Sequence, residues 1–112
     1  MAAHIDITDT EYHTTSLTVT GSARGIDGAR GAARMYLYVT TAAAAVYVNT
    51  GVQVDGTTDL STNGGPVPTE TWVEIECHPS EANGPAANRP TVFVQTDTNP
   101  TSITYRFTRG DA

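Results

Sequence analysis

The chain contains no lysine, a single cysteine and no apolar run long enough to span a bilayer. Each absence closes off a class of function. The spaced glycines Gly21, Gly25, Gly28 and Gly31 invite a phosphate-loop reading, but that loop needs a Gly-Lys pair after a buried strand, and no lysine exists to supply it. They also form three glycine-first triplets, too few and too poor in proline for a triple helix. Cys77, alone, cannot form an internal disulfide, so the stapled architecture of small secreted domains is excluded. The opening residues, MAAHIDITDTEY, have neither the basic nor the apolar region of a secretory leader, and the expectation is synthesis and folding in a cytoplasm. Positive charge is scarce too. Six arginines face twelve acids, a formal net charge of -6 that repels phosphate backbones and anionic lipid, so neither nucleic acid nor a membrane is expected as a partner. The lysine-free usage, rich in Arg and Ala, matches a GC-rich coding background and carries no mechanism of its own.

What is present is β-forming. Twenty of the 112 residues are threonine, and the apolar segments alternate large and polar side chains instead of following a helical period. RMYLYVT, AVYVN, GVQV, TWVEIEC, TVFVQT and ITYRFT read as strands near 34 to 40, 45 to 49, 51 to 54, 71 to 77, 91 to 96 and 102 to 108. Asp55-Gly56, Asn63-Gly64-Gly65 and Asn83-Gly84-Pro85 mark turns, and 78 to 90 is a long exposed loop candidate. This spacing predicts an all-β fold: a small antiparallel β-sandwich or jelly-roll-like domain over residues 34 to 112. Residues 1 to 33 hold few large apolar side chains and end in a small-residue tract. They read as an extended N-terminal arm with a Gly-rich hinge, in which IDIT and SLTVT form strands that add an edge to this sheet or to a neighbour's, with Leu17 and Val19 on one face. The run Ala42 to Ala45 is too short for a helix and predicts a tight crossing between sheets or subunits.

Strand parity separates two faces. Met35, Leu37, Val39, Val46, Val48, Val73, Ile75, Cys77, Val92 and Val94 share one and form the candidate core. The opposite face carries Tyr36, Tyr38, Tyr47, Trp72 and Phe93, beside Glu74, Glu76 and Gln95. A lone sandwich solvates its outward face, whereas this one displays the aromatic residues favoured at interface cores. Tyr36, Tyr38, Tyr47, Trp72 and Phe93, with Leu17 and Val19 of the arm, are therefore the candidate interface residues. A bulge that shifts parity would instead place the aromatics in the core.

No group demands catalysis. Glu74 and Glu76 lie on one face of a strand at the spacing of glycosidase carboxylates, but paired acids on a half-exposed strand are ordinary. Cys77 and His78 with Glu76 and Glu81 lack a second pair at zinc spacing. Arg109-Gly110-Asp111 spells an integrin-recognition tripeptide of low specificity at the end of the chain. The expectation is a protein that is not an enzyme and needs no metal or cofactor.

Arg34-Met-Tyr-Leu-Tyr-Val-Thr, Val46-Tyr-Val-Asn-Thr-Gly51, Pro66-Val-Pro-Thr-Glu-Thr-Trp-Val-Glu-Ile75 and the closing Ile103-Thr-Tyr-Arg-Phe107 together resemble the small β-sandwich structural proteins of tailed bacteriophage virions. The resemblance covers residues 34 to 108. It implies a virion component on the capsid surface: a capsid decoration (cement) protein that binds the assembled head through the major capsid protein or another virion protein and stabilises it, or a subunit of the neck or a fibre. It also implies a homo-oligomer, for which capsid symmetry points to a trimer. The rival of a different class is a receptor- or glycan-binding module, with Tyr36, Tyr38, Tyr47 or Trp72 stacked on sugar rings.

Overall fold

The computed structural model describes residues 4–18, 20–21, 23–50, 59–77 and 89–109. Among these residues nine strands and one short helix follow in order: β1 (His4–Asp6), β2 (His13–Leu17), β3 (Arg24–Asp27), β4 (Ala32–Val39), β5 (Val46–Asn49), α1 (Leu60–Asn63), β6 (Gly65–Val67), β7 (Trp72–Glu76), β8 (Thr91–Thr96) and β9 (Thr101–Arg109). They form two packed sheets, a five-stranded one in the order β1-β3-β8-β5-β6 and a four-stranded one in the order β2-β9-β4-β7. All neighbours are antiparallel except β1 and β3. The protein is a small β-sandwich. Successive strands alternate between the sheets except β5 and β6, so each sheet is completed only by chain segments far apart in sequence.

The core follows the predicted parity. Met35, Leu37, Val39, Val46, Cys77, Val92 and Val94 are buried between the sheets, and Val48, Val73 and Ile75 pack against them. Ile103, Tyr105 and Phe107 of β9, each at most 1% exposed, complete the four-stranded sheet's inner side. The strands expected near 34 to 40, 45 to 49, 71 to 77, 91 to 96 and 102 to 108 appear within two residues of those bounds. The small residues after β4 turn the chain from the four-stranded sheet to β5 in the other, with Thr69 Oγ1 donating to Ala42 O at 2.8 Å. The strand expected at 51 to 54, the Asp55-Gly56 and Asn83-Gly84-Pro85 turns and positions 78 to 88 of the loop lie outside the described residues.

The segment from 1 to 33 differs from the expected arm. Over its described residues it is woven into both sheets: β1 and β3 belong to the five-stranded sheet, and β2 is an edge of the four-stranded one, paired from His13 opposite Tyr105 to Leu17 opposite Thr101. Leu17 (4% exposed), Ile7 (4%) and Ile26 (0%) enter the core, and that burial holds the segment down. The expected glycine hinge carries β3, a strand interior to its sheet. Gly25 lies opposite Phe93 in register. Arg89, at the far end of the expected loop, fastens this region. Its Nε donates to Gly28 O at 2.7 Å, and Nη2 donates to Asp27 O at 3.3 Å and pairs with the Asp6 carboxylate.

α1 is the other element outside the sequence expectation. Asp59 caps it by accepting from Ser61 N at 3.0 Å, and Gln95 Oε1, almost fully buried on β8, accepts from Leu60 N at 2.7 Å. The same Gln95 amide donates to Asp59 Oδ1 at 2.9 Å and Asp97 Oδ1 at 3.0 Å, so a buried polar side chain is satisfied at both ends. Leu60, Ala23 and Phe93 then form a second, smaller apolar cluster, with Tyr47 packed against it, on the outer side of the five-stranded sheet. The expected turn at Asn63-Gly64-Gly65 is where α1 passes into β6, and at Gly64 a Cβ would sit 2.8 Å from Val48 O.

Candidate functional site

The structure divides the candidate interface residues between two environments. Phe93 (7% exposed) and half-buried Tyr47 do point outward from the five-stranded sheet, as their parity requires, but α1 and Ala23 cover them. Leu17 is in the main core, and Val19 lies outside the described residues. In the folded chain the buried side chains of Phe93 and Leu17 are closed to a partner.

Tyr36, Tyr38 and Trp72 are brought together on the outer face of the four-stranded sheet. Adjacent strands β4 and β7 set Tyr38 opposite Trp72 and Tyr36 opposite Glu74, while β4 and β9 set Tyr36 opposite Arg106 and Tyr38 opposite Thr104. The Tyr38 and Trp72 rings tilt against each other with centroids 5.3 Å apart. Tyr12, just before β2, reaches over the sheet from the opposite edge to meet Trp72 at 5.7 Å. The guanidinium carbon of Arg106 stands 4.9 Å from the Tyr12 ring centroid, a cation-π geometry.

Tyr12, Tyr36, Trp72 and Arg106 line an open concavity of ≈ 220 Å³. Its walls are mostly aromatic, and its charged group is the Arg106 guanidinium. Trp72 and Tyr12 are 50% and 58% exposed, and they are the exposed large hydrophobic side chains among the described residues. Glu74 is held by Arg34 Nε at 2.7 Å, with both side chains about half exposed, which makes it a solvated ion pair of the sheet face. Among the described residues Arg106 has no such acid. Its Nε is closed to solvent and has no hydrogen-bond partner. Beside the cup, β2 and β9 present a hydroxyl strip in which Thr14 and Thr104 meet at 3.1 Å.

Tyr12 and Arg106 are the residues of this concavity missing from the sequence expectation. Both obey a parity that the chain displays: Ile103, Tyr105 and Phe107 inward force Arg106 outward, and a strand at 13 to 17 gives Tyr12 the outward parity of Thr14 and Ser16. Tyr12 stands just before its strand and Arg106 is a charged residue set between two inward aromatics, so neither carried an apolar signal of its own.

Chemistry elsewhere is sparse. Cys77 is buried, and desolvation with the nearby Glu76 carboxylate pushes its thiol up to about 12, so it remains a neutral, unreactive side chain near neutral pH. His78 and Glu81, weighed with it as metal ligands, lie outside the described residues, as do Gly110 and Asp111 of the Arg-Gly-Asp tripeptide. Among the described residues no three His, Cys, Asp or Glu side chains gather as a metal-holding group. No helix among them is long and apolar enough to cross a membrane. His13 Nε2 bonds Asp9 Oδ1 at 2.8 Å and its ring stacks on Tyr105, an arrangement that ties β2 to β9.

No protein-family model matches the chain, and no curated protein is recognisably similar to it.

Proposed function

We propose that this protein is a non-enzymatic structural subunit that works by contact through the outer face of its four-stranded sheet, and that its setting is the virion of a tailed phage, where it decorates and stabilises the assembled head. The observation that carries the contact reading is the cluster of Tyr12, Tyr36, Tyr38 and Trp72 on that face, with two of its rings half in water. At roughly 100 Å² of exposed ring surface each and about 25 cal/mol/Å², covering Trp72 and Tyr12 releases about 2.5 kcal/mol per ring before association entropy is subtracted. Trp, Tyr and Arg are also the residue types that dominate binding hot spots. The virion setting comes from the resemblance of residues 34 to 108, and the net charge of -6 suits a position away from packaged DNA.

As a decoration protein the subunit acts by linkage. A ligand that binds only the expanded shell deepens that state's free-energy well, and many copies on a closed shell add up. With the N-terminal segment built into both sheets, the aromatic face takes over the role of shell contact that a free arm would have had. The test is co-sedimentation with emptied, expanded heads and the melting temperature of those heads. Wild type should bind and raise it, and Trp72→Ala, which leaves the core intact, should weaken binding about tenfold or more. Absence of binding by the wild-type protein overturns the virion reading, and unchanged binding by Trp72→Ala overturns the assignment to this face.

A further inference from the structure

We infer that the Tyr12, Tyr36, Trp72 and Arg106 cup is an anchor site for an acidic, proline-bearing extended segment of a partner protein, with Arg106 taking the carboxylate. The inference rests on the reading of this face as a contact surface, and it names what the face holds. It does not depend on the virion setting.

Arg106 carries it. An arginine presents five donors and always bears its charge. Here the guanidinium is set against the Tyr12 ring and lines the cup, and among the described residues it pairs with no acid. A carboxylate is the group that answers both its charge and its planar fork. Within the face, Glu74 is engaged by Arg34. A partner can supply the acid that Arg106 does not meet among the described residues.

The rest of the cup selects what accompanies the acid. Aromatic-lined grooves bind proline-rich segments, whose rigid, flat rings lie against tyrosine and tryptophan and lose little entropy on docking. The cup has that lining in Tyr12, Tyr36 and Trp72. A quaternary or primary ammonium, the other familiar guest of aromatic walls, is disfavoured by the positive charge of Arg106 in the same space. Because the whole protein is acidic, long-range attraction of an anionic partner is absent. Recognition is short-range, and it singles out the partner that can place a carboxylate at Arg106.

Trp72 is the chain's one tryptophan and lines the cup, so its emission reports occupancy directly. The intact protein is titrated with a synthetic peptide alternating Pro with Asp and Glu, with the same peptide carrying Asn and Gln, with phenylacetate and phenylacetamide, and with glucuronate oligosaccharides. The expected result is a saturable emission change in which the acidic peptide binds about tenfold or more tighter than its amide twin and phenylacetate outdoes phenylacetamide. Arg106→Gln should erase that preference at an unchanged melting temperature, and Arg106→Lys should keep part of it. Equal binding of acid and amide by wild type, no response to either peptide, or a response to the glucuronate oligosaccharides alone each overturns the inference. Peptide binding without head binding retains this site and removes the virion setting. Equal binding of heads by wild type and Arg106→Gln removes this site and leaves the setting.

Discussion

Gly28→Ala distinguishes a flexible glycine tract from the packed one seen here. In a hinge, replacing Gly with Ala stabilises a protein by about 0.4–1 kcal/mol, because the unfolded chain loses freedom. Here a Cβ on Gly28 would lie 2.7 Å from Cδ1 of Phe107 and 2.9 Å from Cε1 and Cγ, well inside contact distance. Phe107 is fully buried and has nowhere to go. Nor can the backbone slide, since Gly28 N donates to Pro90 O at 2.8 Å and Gly28 O accepts from Arg89 Nε at 2.7 Å. Overpacking of a well-filled core costs about 1–3 kcal/mol. At about 2.1 cal/mol/K of unfolding entropy per residue, a chain of 112 residues loses about 4 °C of melting temperature per kcal/mol, which gives a drop of about 4–13 °C. Thermal denaturation followed by circular dichroism measures it. A second variant checks the cause: Phe107→Leu destabilises alone by opening a cavity, but in the Gly28→Ala background the new methyl group fills part of that space, so the double variant should be less destabilised than the two single effects added. A melting temperature unchanged or raised in Gly28→Ala would refute the packed assignment of this tract.

Three further outcomes follow from named contacts. Arg89→Lys keeps a positive charge near exposed Asp6 but loses the Nε bond to Gly28 O, so it should destabilise by about 1.5–3 kcal/mol in chemical denaturation, close to Arg89→Met and far more than Asp6→Asn. The Asp59 carboxyl is held below its ordinary 3.8 by the Gln95 side chain and then by Ser61, and Asp9 is held low by His13 and Glu11. Depressed folded values mean stability that is present above the unfolded value and lost as pH falls through the folded one, so the melting temperature should decline on acidification below about pH 4, less steeply in Asp59→Asn. Cys77 should resist thiol reagents in the native protein at pH 8 and titrate as one equivalent after unfolding, whereas rapid native modification would contradict its burial.

The alternation in β4, β7, β8 and β9 was legible because each strand has one strongly apolar side, and a single residue of slip would have put Met35 and Leu37 in water. The N-terminal segment was not, and the reason is physical. β1, β2 and β3 each contribute only one or two large apolar residues, such as Leu17 and Ile26, and much of their hold comes from partners distant in sequence: Tyr105 for β2, Phe93 for β3, Arg89 for β1. A short strand whose stabilisation is supplied across the sandwich carries little local signature, and a glycine opposite an aromatic ring looks the same in sequence as a glycine in a linker. Arg89 shows the same blindness from the other side, since nothing in a loop rich in Pro, Ala and Asn marks one arginine as the residue whose donors reach Gly28 and Asp27.

The site has the same mixed legibility, and the way it fails is informative. Parity placed Tyr47 and Phe93 on an outward face, and they are on one, but outward from a sheet is not the same as exposed. Leu60 and Ala23 close that side, with Gln95 supplying the polar contact that holds α1 in place, so one sheet's outer aromatics became a second small core while the other's did not. Coverage of one face and not the other is what gives the outer face of the four-stranded sheet its meaning. The same chain that covers Phe93 with a four-residue helix leaves Trp72 and Tyr12 half exposed and, among the described residues, Arg106 without an acid. A tryptophan and a tyrosine about half in water, beside a guanidinium that meets no acid among the described residues, are the physical ground for proposing this surface as the one that makes contact.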